Sequence, residues 1–280
     1  MPAARLSPLQ AGILGWFGEH GRDLPWRRTR DPWAVLVAEV MLQQTQVIRA
    51  VPHWEAFLLR WPTPAACAAA PASEVVRAWA GLGYNRRALN LHRCAAAVVE
   101  RHGGRLPADL PALLRLPGVG PYTARAVLAF AFEADVGVLD TNTRRVLARA
   151  CGGVDQRRAD ELVPPGAGWA WNQALLDVGA TVCTARRPGC NACPCADVCD
   201  WRRRGGPDPG VRPRGQARFE GSDRQGRGRL LDALRGAPVG PEGVAAACGW
   251  PEDPDRARRV AAGLVRDGLA AGGAEGLDLA

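Results

Sequence analysis

Apolar side chains recur at the three- to four-residue spacing of amphipathic helices throughout residues 1–200. The segments with this pattern are AVLVAEVMLQQ, SEVVRAWAGL, ALNLHRCAAAVV, ARAVLAFAF and NQALLDVGATV. Alternating strand patterns and hairpin dipeptides are missing from this region, and only VGVLD at 136–140 has the character of a strand. The pattern therefore predicts an all-α fold for the main body, residues 1–200.

The composition changes after residue 200. Residues 201–235 contain ten arginines against four acidic residues, and GGPDPG and RPRG interrupt them. A stretch of this kind is typical of a flexible linker, which we assign to residues 201–221. The remaining residues, 222–280, are expected to form a small second domain.

Three segments of that second domain have helical patterns, namely 222–235, 241–249 and 255–267. Gly272 and Gly273 follow them and are suited to turn a short hairpin. Three helices and a hairpin favour a winged-helix-like appendage. A small helical appendage that packs against the body is the alternative.

The overall composition excludes several classes of protein. Among the 280 residues, 47% are hydrophobic and 23% are charged, as in soluble globular proteins. No apolar run of about 18 residues could cross a bilayer, so we expect no membrane partner. The first residues lack the apolar segment of a signal peptide, which favours the cytoplasm (the nucleoid, if the protein is bacterial) and reduced cysteines. The net charge of +8 favours a polyanionic partner. All 36 basic residues are arginine, but this composition carries no functional information because GC-rich coding alone can produce it.

Cysteines cluster near the end of the main body. Five of the nine lie within 183–199, and four of them have the spacing C-x6-C-x2-C-x5-C: Cys183, Cys190, Cys193 and Cys199. Four thiols so close together in a reducing compartment indicate a metal site, and either zinc or a [4Fe–4S] cluster suits them chemically. Cys195 has no place in this spacing and is expected to be a spare thiol.

A glycine-rich connection joins two predicted helices in LPALLRLPGVGPYTARAVLAFAF. Gly118 and Gly120 allow close approach of a partner, and Pro121 occupies the preferred first position of the second helix. The free amides at that helix N-terminus are suited to bind a DNA phosphate. A plain helix connection is the structural alternative.

Two carboxylates have environments that suit catalysis. Asp31 and Pro32 predict a helix start that places Glu39 two turns into a largely apolar helix, where a carboxyl resists ionisation. Asp140 precedes the helical run TNTRRVLAR, so the helix dipole favours its charged form. A surface glutamate and a simple helix cap are the respective alternatives.

Several motifs together resemble one protein family. LPGVGPYTA, the downstream Asp140 and the cysteine spacing resemble the helix-hairpin-helix base-excision DNA glycosylases, which carry a [4Fe–4S] cluster. EVMLQQTQV, with RDLPWR before it and GLGYNRRALNLH after it, resembles the MutY-type adenine DNA glycosylases of that superfamily. The resemblance covers roughly residues 10–200. It implies a bilobal helical fold with the cluster in the loop 183–199, and we expect a monomer that binds double-stranded DNA containing a mispaired or damaged base pair.

The resemblance also implies roles for individual residues. Glu39 corresponds to the glutamate that protonates adenine at N7, and Asp140 to the carboxylate that stabilises the cationic sugar. Tyr122 and Asn142 correspond to hydrogen-bonding partners of these carboxylates. The adenine pocket corresponds to Arg22, Leu24, Trp26, Arg27 and Gln173. Gln44 and Tyr84 correspond to residues that fill the duplex where the base leaves.

Tyr122 occupies the position where bifunctional relatives such as endonuclease III have an attacking lysine. The chain contains no lysine, so we expect a monofunctional adenine glycosylase that uses water and leaves an abasic site. Removal of thymine or uracil from mismatches with G is one alternative, and a non-catalytic iron–sulfur DNA-binding protein is another. About eighty residues follow Cys199, too few for the Nudix-like domain of the family, so the preferred opposite base, 8-oxoguanine or G, is left open.

Overall fold

The structure is a computed structural model that describes residues 6–210, 215, 218–273 and 276–280. Contacts divide the chain into two compact units, and the first division along the chain lies within a helix, between Glu39 and Val40. The described part of the first unit consists of 6–39, 107–115 and 119–210. The described part of the second consists of 40–106, 116–118, 215, 218–273 and 276–280.

The described residues are mostly helical, as the periodicity predicts. The helices are α1 (Pro8–His20), α2 (Pro32–Leu42), α3 (Val47–Arg60), α4 (Pro64–Ala69), α5 (Ala72–Ala78), α6 (Arg86–His102), α7 (Leu110–Leu114), α8 (Pro121–Ala131), α9 (Thr141–Cys151), α10 (Gln156–Glu161), α11 (Gly168–Asp177), α12 (Asp200–Arg204), α13 (Asp223–Gly236), α14 (Val244–Cys248) and α15 (Pro254–Arg266). Short 3₁₀ or π turns occupy Pro25–Arg27, Val178–Val182, Cys190–Ala192 and Pro241–Gly243. Strands β1 (Ala270–Gly273) and β2 (Gly276–Leu279) pair antiparallel. In the part of the chain that the structure covers, no helix has the length and apolarity to span a membrane.

The core of the first unit forms around α11. Trp171 is fully buried there, and α11 packs against α1, α8 and α9. Ile13 of α1 and Leu147 of α9 belong to the same hydrophobic cluster. Burial of several large apolar side chains, each contributing roughly 1.5–3 kcal/mol, holds these helices together.

The segment 136–140, which has a strand-like sequence, is not a strand. The side chain of Asn172 takes the place of a neighbouring strand by pairing with the backbone groups of this segment. Asn172 Oδ1 accepts from Val138 N at 2.8 Å, and Asn172 Nδ2 donates to Val136 O at 2.9 Å. The strand-like segment thus forms no sheet, in agreement with the helical fold predicted for residues 1–200, because a side chain on α11 satisfies the backbone groups that a sheet would pair.

The second unit contains an aromatic core and the C-terminal helices. Phe57 lies 4.8 Å from Trp61 and 6.3 Å from Trp79, measured between ring centroids. Helices α4 and α5 pack against α6. Helices α13, α14 and α15 pack against one another, and the hairpin contacts α13 and α15.

Two details of the C-terminal region differ from the sequence expectations. Gly272 and Gly273 lie within β1, opposite Leu277 and Gly276, so they do not form the turn. Residues 200–204 are helical and Asp208 pairs with Arg149, so this part of the proposed linker is structured rather than flexible. The helix order and hairpin agree with the expected elements, while a winged-helix arrangement stays a prediction.

Candidate active site

Glu39 lies on the buried helix α2. The helix begins as predicted, because the Asp31 carboxylate accepts from Trp33 N at 3.1 Å and from Ala34 N at 3.3 Å. The apolar residues of α2 from Trp33 to Met41 are buried, and Glu39 itself is only 5% exposed. Its Oε2 has no hydrogen-bond partner among the described residues. A buried carboxyl with an unpaired oxygen is costly as a structural feature, which points to a functional role.

The surroundings of Glu39 keep its carboxyl protonated near neutrality. The pKa of Glu39 is raised from 4.5 to about 7, chiefly by burial and in addition by the charge of Asp140. A hydrogen bond from Tyr122 and the charge of Arg27 oppose these effects without cancelling them. Glu39 is therefore suited to donate a proton at neutral pH.

Tyr122 and Asp140 flank this carboxyl. Tyr122 lies in the first turn of α8, and its hydroxyl hydrogen-bonds to Glu39. Burial raises the pKa of Tyr122 well above its usual value, and the nearby carboxylates add to the effect, so the phenol keeps its proton. Asp140 caps α9 by accepting from Thr143 N at 2.7 Å. The structure therefore brings Glu39, Tyr122 and Asp140 together.

Asn142 connects Asp140 to the interior of the unit. Its Nδ2 donates to Asp140 Oδ2 at 3.2 Å, and its Oδ1 accepts from Arg145 Nη2 at 2.9 Å. Arg145 is 3% exposed and also donates to the carbonyl oxygens of Gly179 and Cys183 at 2.6 and 2.7 Å. Asn142 therefore fixes the orientation of Asp140, and Arg145 fixes Asn142 by bonding to it and to the backbone at the start of the cysteine loop.

A buried arginine–aspartate pair organises the residues assigned to the adenine pocket. Asp177 is fully buried at the end of α11, and both its oxygens accept from Arg27 at 2.8 Å. Asp177 also accepts from Arg22 Nε at 2.7 Å, while Arg27 Nε donates to Gln173 at 2.7 Å. Trp26 is buried beside Arg27 in the 3₁₀ turn, and Leu24 immediately before this turn is half-buried.

The role of Asp177 is not evident in the sequence, where it is one polar residue within the apolar run NQALLDVGATV. Because it pairs with arginines about 150 residues earlier in the chain, local pattern cannot reveal the contact. The pairing places Arg22, Arg27 and Gln173 around one carboxylate. Asp177 therefore fixes the geometry of these residues.

The glycine-rich connection lies between α7 and α8. Gly118 has a φ of +77°, and a Cβ there would lie 2.7 Å from Asn90 Cβ, so both conformation and space require glycine. Gly120 precedes α8 as its N-cap and has no side-chain cap for the helix amides, and no atom lies within 4 Å of the position where its Cβ would be. This arrangement suits an anion at the start of α8.

Gln44 and Tyr84 belong to the second unit and share an unusual backbone. Both adopt a left-handed conformation, with φ of +58° and +47°, which is uncommon for residues other than glycine. Arg87, only 8% exposed, donates to the carbonyl oxygens of Gln43 and Gly83 at 2.6 and 2.9 Å. One buried guanidinium thus stabilises both strained loops, a role that the sequence does not reveal.

The four predicted ligand thiols line a common cavity. Cys183, Cys190, Cys193 and Cys199 all contribute to its wall, as do Cys195, Arg149 and Arg202. Arg149 Nη1 lies 3.3 Å from Cys183 Sγ. Within the described residues, no three cysteine, histidine or acidic side chains converge on a single metal position. The donor set fits an iron–sulfur cluster, whose irons bind separate thiolates and whose negative charge suits two guanidinium groups.

Several known proteins are similar to this chain. Residues 37–163 match the family described as "HhH-GPD superfamily base excision DNA repair protein". The adenine DNA glycosylase of Mycolicibacterium smegmatis is 44% identical over 97% of this chain and 94% of its own length. The human adenine DNA glycosylase is 41% identical over 72% of this chain and 40% of its own length. A solved structure of a thermostable thymine-DNA glycosylase is 32% identical, with a TM-score of 0.66 over 69% of this chain and 94% of that chain.

Proposed function

Because the chain belongs to the adenine DNA glycosylase family within the HhH-GPD superfamily, we propose that it removes mispaired adenine from double-stranded DNA by hydrolysing the N-glycosidic bond. The observation that carries this proposal is the buried, proton-holding Glu39 between Tyr122 and Asp140. A protein that only binds DNA has no use for this costly arrangement. Adenine excision, in contrast, uses the proton of Glu39, the carboxylate of Asp140 and the orienting hydroxyl of Tyr122.

The reaction needs a proton donor, a stabilised cation and a water molecule. Glu39 donates its proton to N7 of adenine, so the electrons of the C1′–N9 bond leave with a neutral base. The Asp140 carboxylate stabilises the oxocarbenium character at C1′. Water then adds to C1′ and releases a proton, which leaves an abasic site. Tyr122 and Asn142 orient the two carboxylates.

The proposed pocket and DNA contacts follow the same assignment. Arg22, Leu24, Trp26, Arg27 and Gln173 would hold the extruded adenine, with Asp177 fixing the arginines. The connection containing Gly118 and Gly120 would bind a backbone phosphate. Gln44 and Tyr84 would occupy the space that the base leaves.

The substrate assignment is tested with a panel of duplexes. Purified protein is incubated with DNA carrying A, T or U opposite G or 8-oxoguanine, and alkali then cleaves any abasic sites. We expect product from the adenine duplexes. Release of thymine or uracil instead would support the mismatch alternative, and absence of any product would contradict glycosylase activity.

The pH dependence of adenine release follows from the state of Glu39. The carboxyl has a pKa of about 7, so it holds a proton at lower pH and cannot donate one at higher pH. We therefore expect kcat/KM to fall about tenfold per pH unit above neutrality, since this parameter reports ionisation in the free enzyme. A falling limb centred near the ordinary carboxyl value of 4.5 would contradict the proton-donor role.

We expect adenine release without strand cleavage. Tyr122 replaces the attacking lysine, no lysine exists elsewhere in the chain, and arginine is too basic to act as the amine. Borohydride trapping during the reaction measures this directly, with endonuclease III as the positive control. A covalent enzyme–DNA adduct at a yield comparable to that control would overturn the hydrolytic mechanism.

We further propose that Cys183, Cys190, Cys193 and Cys199 hold a [4Fe–4S] cluster. When bound, the cluster would cross-link the loop that carries these thiols. We expect the protein to be brown after anaerobic purification, with a broad absorbance band at about 400 nm. Cys190→Ser should lose the colour, whereas Cys195→Ser, the matched control, should keep it. A colourless protein containing one zinc ion would contradict the cluster.

A further inference from the structure

A groove in the second unit remains outside the proposed catalytic site. Residues 83–87 form one part of its wall, and Phe219, α13 and Asp267 form another. Its cavity volume is about 850 Å³, at the upper end of the range for small-molecule pockets, so it has room for a nucleotide. Gln44 and Tyr84, the proposed duplex contacts, line the same groove.

The charges of the groove favour an anionic occupant. The charged side chains that line it in the described part of the chain are four arginines and one aspartate: Arg86, Arg87, Arg224, Arg227 and Asp267. The Arg86 side chain is 66% exposed and lies 3.5 Å from Asp267, which also pairs with Arg227. Because the positive charge exceeds the negative, phosphate groups are favoured there.

Phe219 adds an aromatic surface to this groove. It is 56% exposed, and the Arg224 guanidinium lies 5.8 Å from its ring centroid. An exposed aromatic ring beside a guanidinium is the combination that stacks a nucleobase and contacts its phosphate. An acidic peptide would interact with the arginines but has no base to stack on the Phe219 ring, so the combination favours a nucleic acid.

Gly228 shapes the wall contributed by α13. Glycine in the middle of a helix is unfavourable, and no atom lies within 4 Å of the position where a Cβ would be. Packing therefore does not require glycine at 228, in contrast to Gly226, where a Cβ would collide with Trp250. Because residue 228 has no side chain, the groove is open at this point.

We propose that this groove binds one strand of the DNA substrate, with a base stacked on Phe219 and backbone phosphates at Arg224 and Arg86. The proposal rests on the proposed function in one respect only, namely that the binding partner is DNA. It assigns to the C-terminal segment a direct part in holding DNA, next to the loops of Gln44 and Tyr84.

The test measures affinity for a duplex with a tetrahydrofuran abasic site opposite G, by fluorescence anisotropy at several salt concentrations. Phe219→Ala is expected to raise Kd about fivefold or more, the lower end of what loss of one stacked base causes. Arg224→Ala is expected to weaken binding and to reduce the slope of log Kd against log salt by about one. Arg258→Ala, an exposed arginine on α15 that does not line the groove, is the matched control and should bind like wild type.

Two further variants separate groove binding from structural damage. Asp267→Asn removes the negative charge beside Arg86 and Arg227, so we expect about twofold to fivefold tighter binding, the range of an exposed ion pair. Gly228→Leu is expected to weaken binding by filling the groove, although leucine favours the helix more than glycine. Damage to the fold would weaken binding in both.

Unchanged Kd values for Phe219→Ala and Arg224→Ala would overturn the proposal and leave the groove to a protein partner. An equal loss in Arg258→Ala would overturn it as well, because binding would then depend on net charge. Adenine release by the wild-type protein is measured in parallel. Failure of that reaction, with the groove variants behaving as expected, would overturn the proposed chemistry but not the DNA-binding groove.

Discussion

Glu39→Gln is expected to slow adenine release by about 10²- to 10⁴-fold, the contribution of a positioned general acid. Glutamine has nearly the same shape but no proton to donate to N7. Single-turnover release from an adenine duplex measures the effect, and anisotropy with the abasic duplex shows whether DNA binding is retained. Glu55→Gln, at an exposed position of α3, is the matched control and should release adenine at the wild-type rate.

The same substitution should stabilise the folded protein at alkaline pH. The Glu39 carboxyl loses its proton near 4.5 when unfolded but near 7 when folded, so its contribution to stability falls as pH rises between these values. A shift of this size corresponds to about 3 kcal/mol above neutrality. We therefore expect the difference in Tm between Glu39→Gln and wild type to be larger at pH 8 than at pH 5. Wild-type activity in Glu39→Gln, or a Tm difference independent of pH, would contradict the buried donor.

Asp140→Asn is expected to reduce adenine release by about 10²- to 10³-fold, because a neutral amide stabilises the developing cation poorly. The fold should be retained, since asparagine caps helices about as well as aspartate and can accept from Thr143 N in the same way. Single-turnover kinetics and thermal unfolding measure the two effects separately.

Asp155→Asn provides a closely matched control. Asp155 caps α10 by accepting from Arg158 N at 2.7 Å, the same interaction that Asp140 makes at α9. If Asp140 acts only as a cap, the two substitutions should have similar, small effects on the rate. A large loss confined to Asp140→Asn supports electrostatic catalysis.

Much of the fold follows from local sequence. The helical periodicity of ALNLHRCAAAVV and ARAVLAFAF corresponds to α6 and α8, and Asp31 and Asp140 cap the helices that follow them. The mostly helical fold and the family resemblance are confirmed. The individual site roles and the cluster stay predictions, to be tested by the substitutions above.

The residues that sequence reasoning missed share one property. Asp177, Arg87 and Arg145 are buried charged side chains whose partners lie far away in the chain or are backbone carbonyl groups. Neither kind of partner leaves a periodic or composition signal. Asn172 is a similar case, because from α11 it supplies hydrogen bonds to the strand-like segment 136–140, which lies more than thirty residues earlier in the chain.

Helix positions, helix caps and the cysteine spacing depend on residues a few positions apart, so they can be read directly from the chain. The conformation of Gly118 is of the same kind, since a left-handed turn selects glycine locally. The chemistry of Glu39 is different. Its raised pKa arises from burial and from Asp140, and its hydrogen bond comes from Tyr122, all of which packing alone supplies. The sequence predicts that a carboxyl in this apolar helix resists ionisation. Coulomb energies depend on distance in space rather than distance along the chain, so only the tertiary structure shows which groups, Asp140 and Tyr122, act on it.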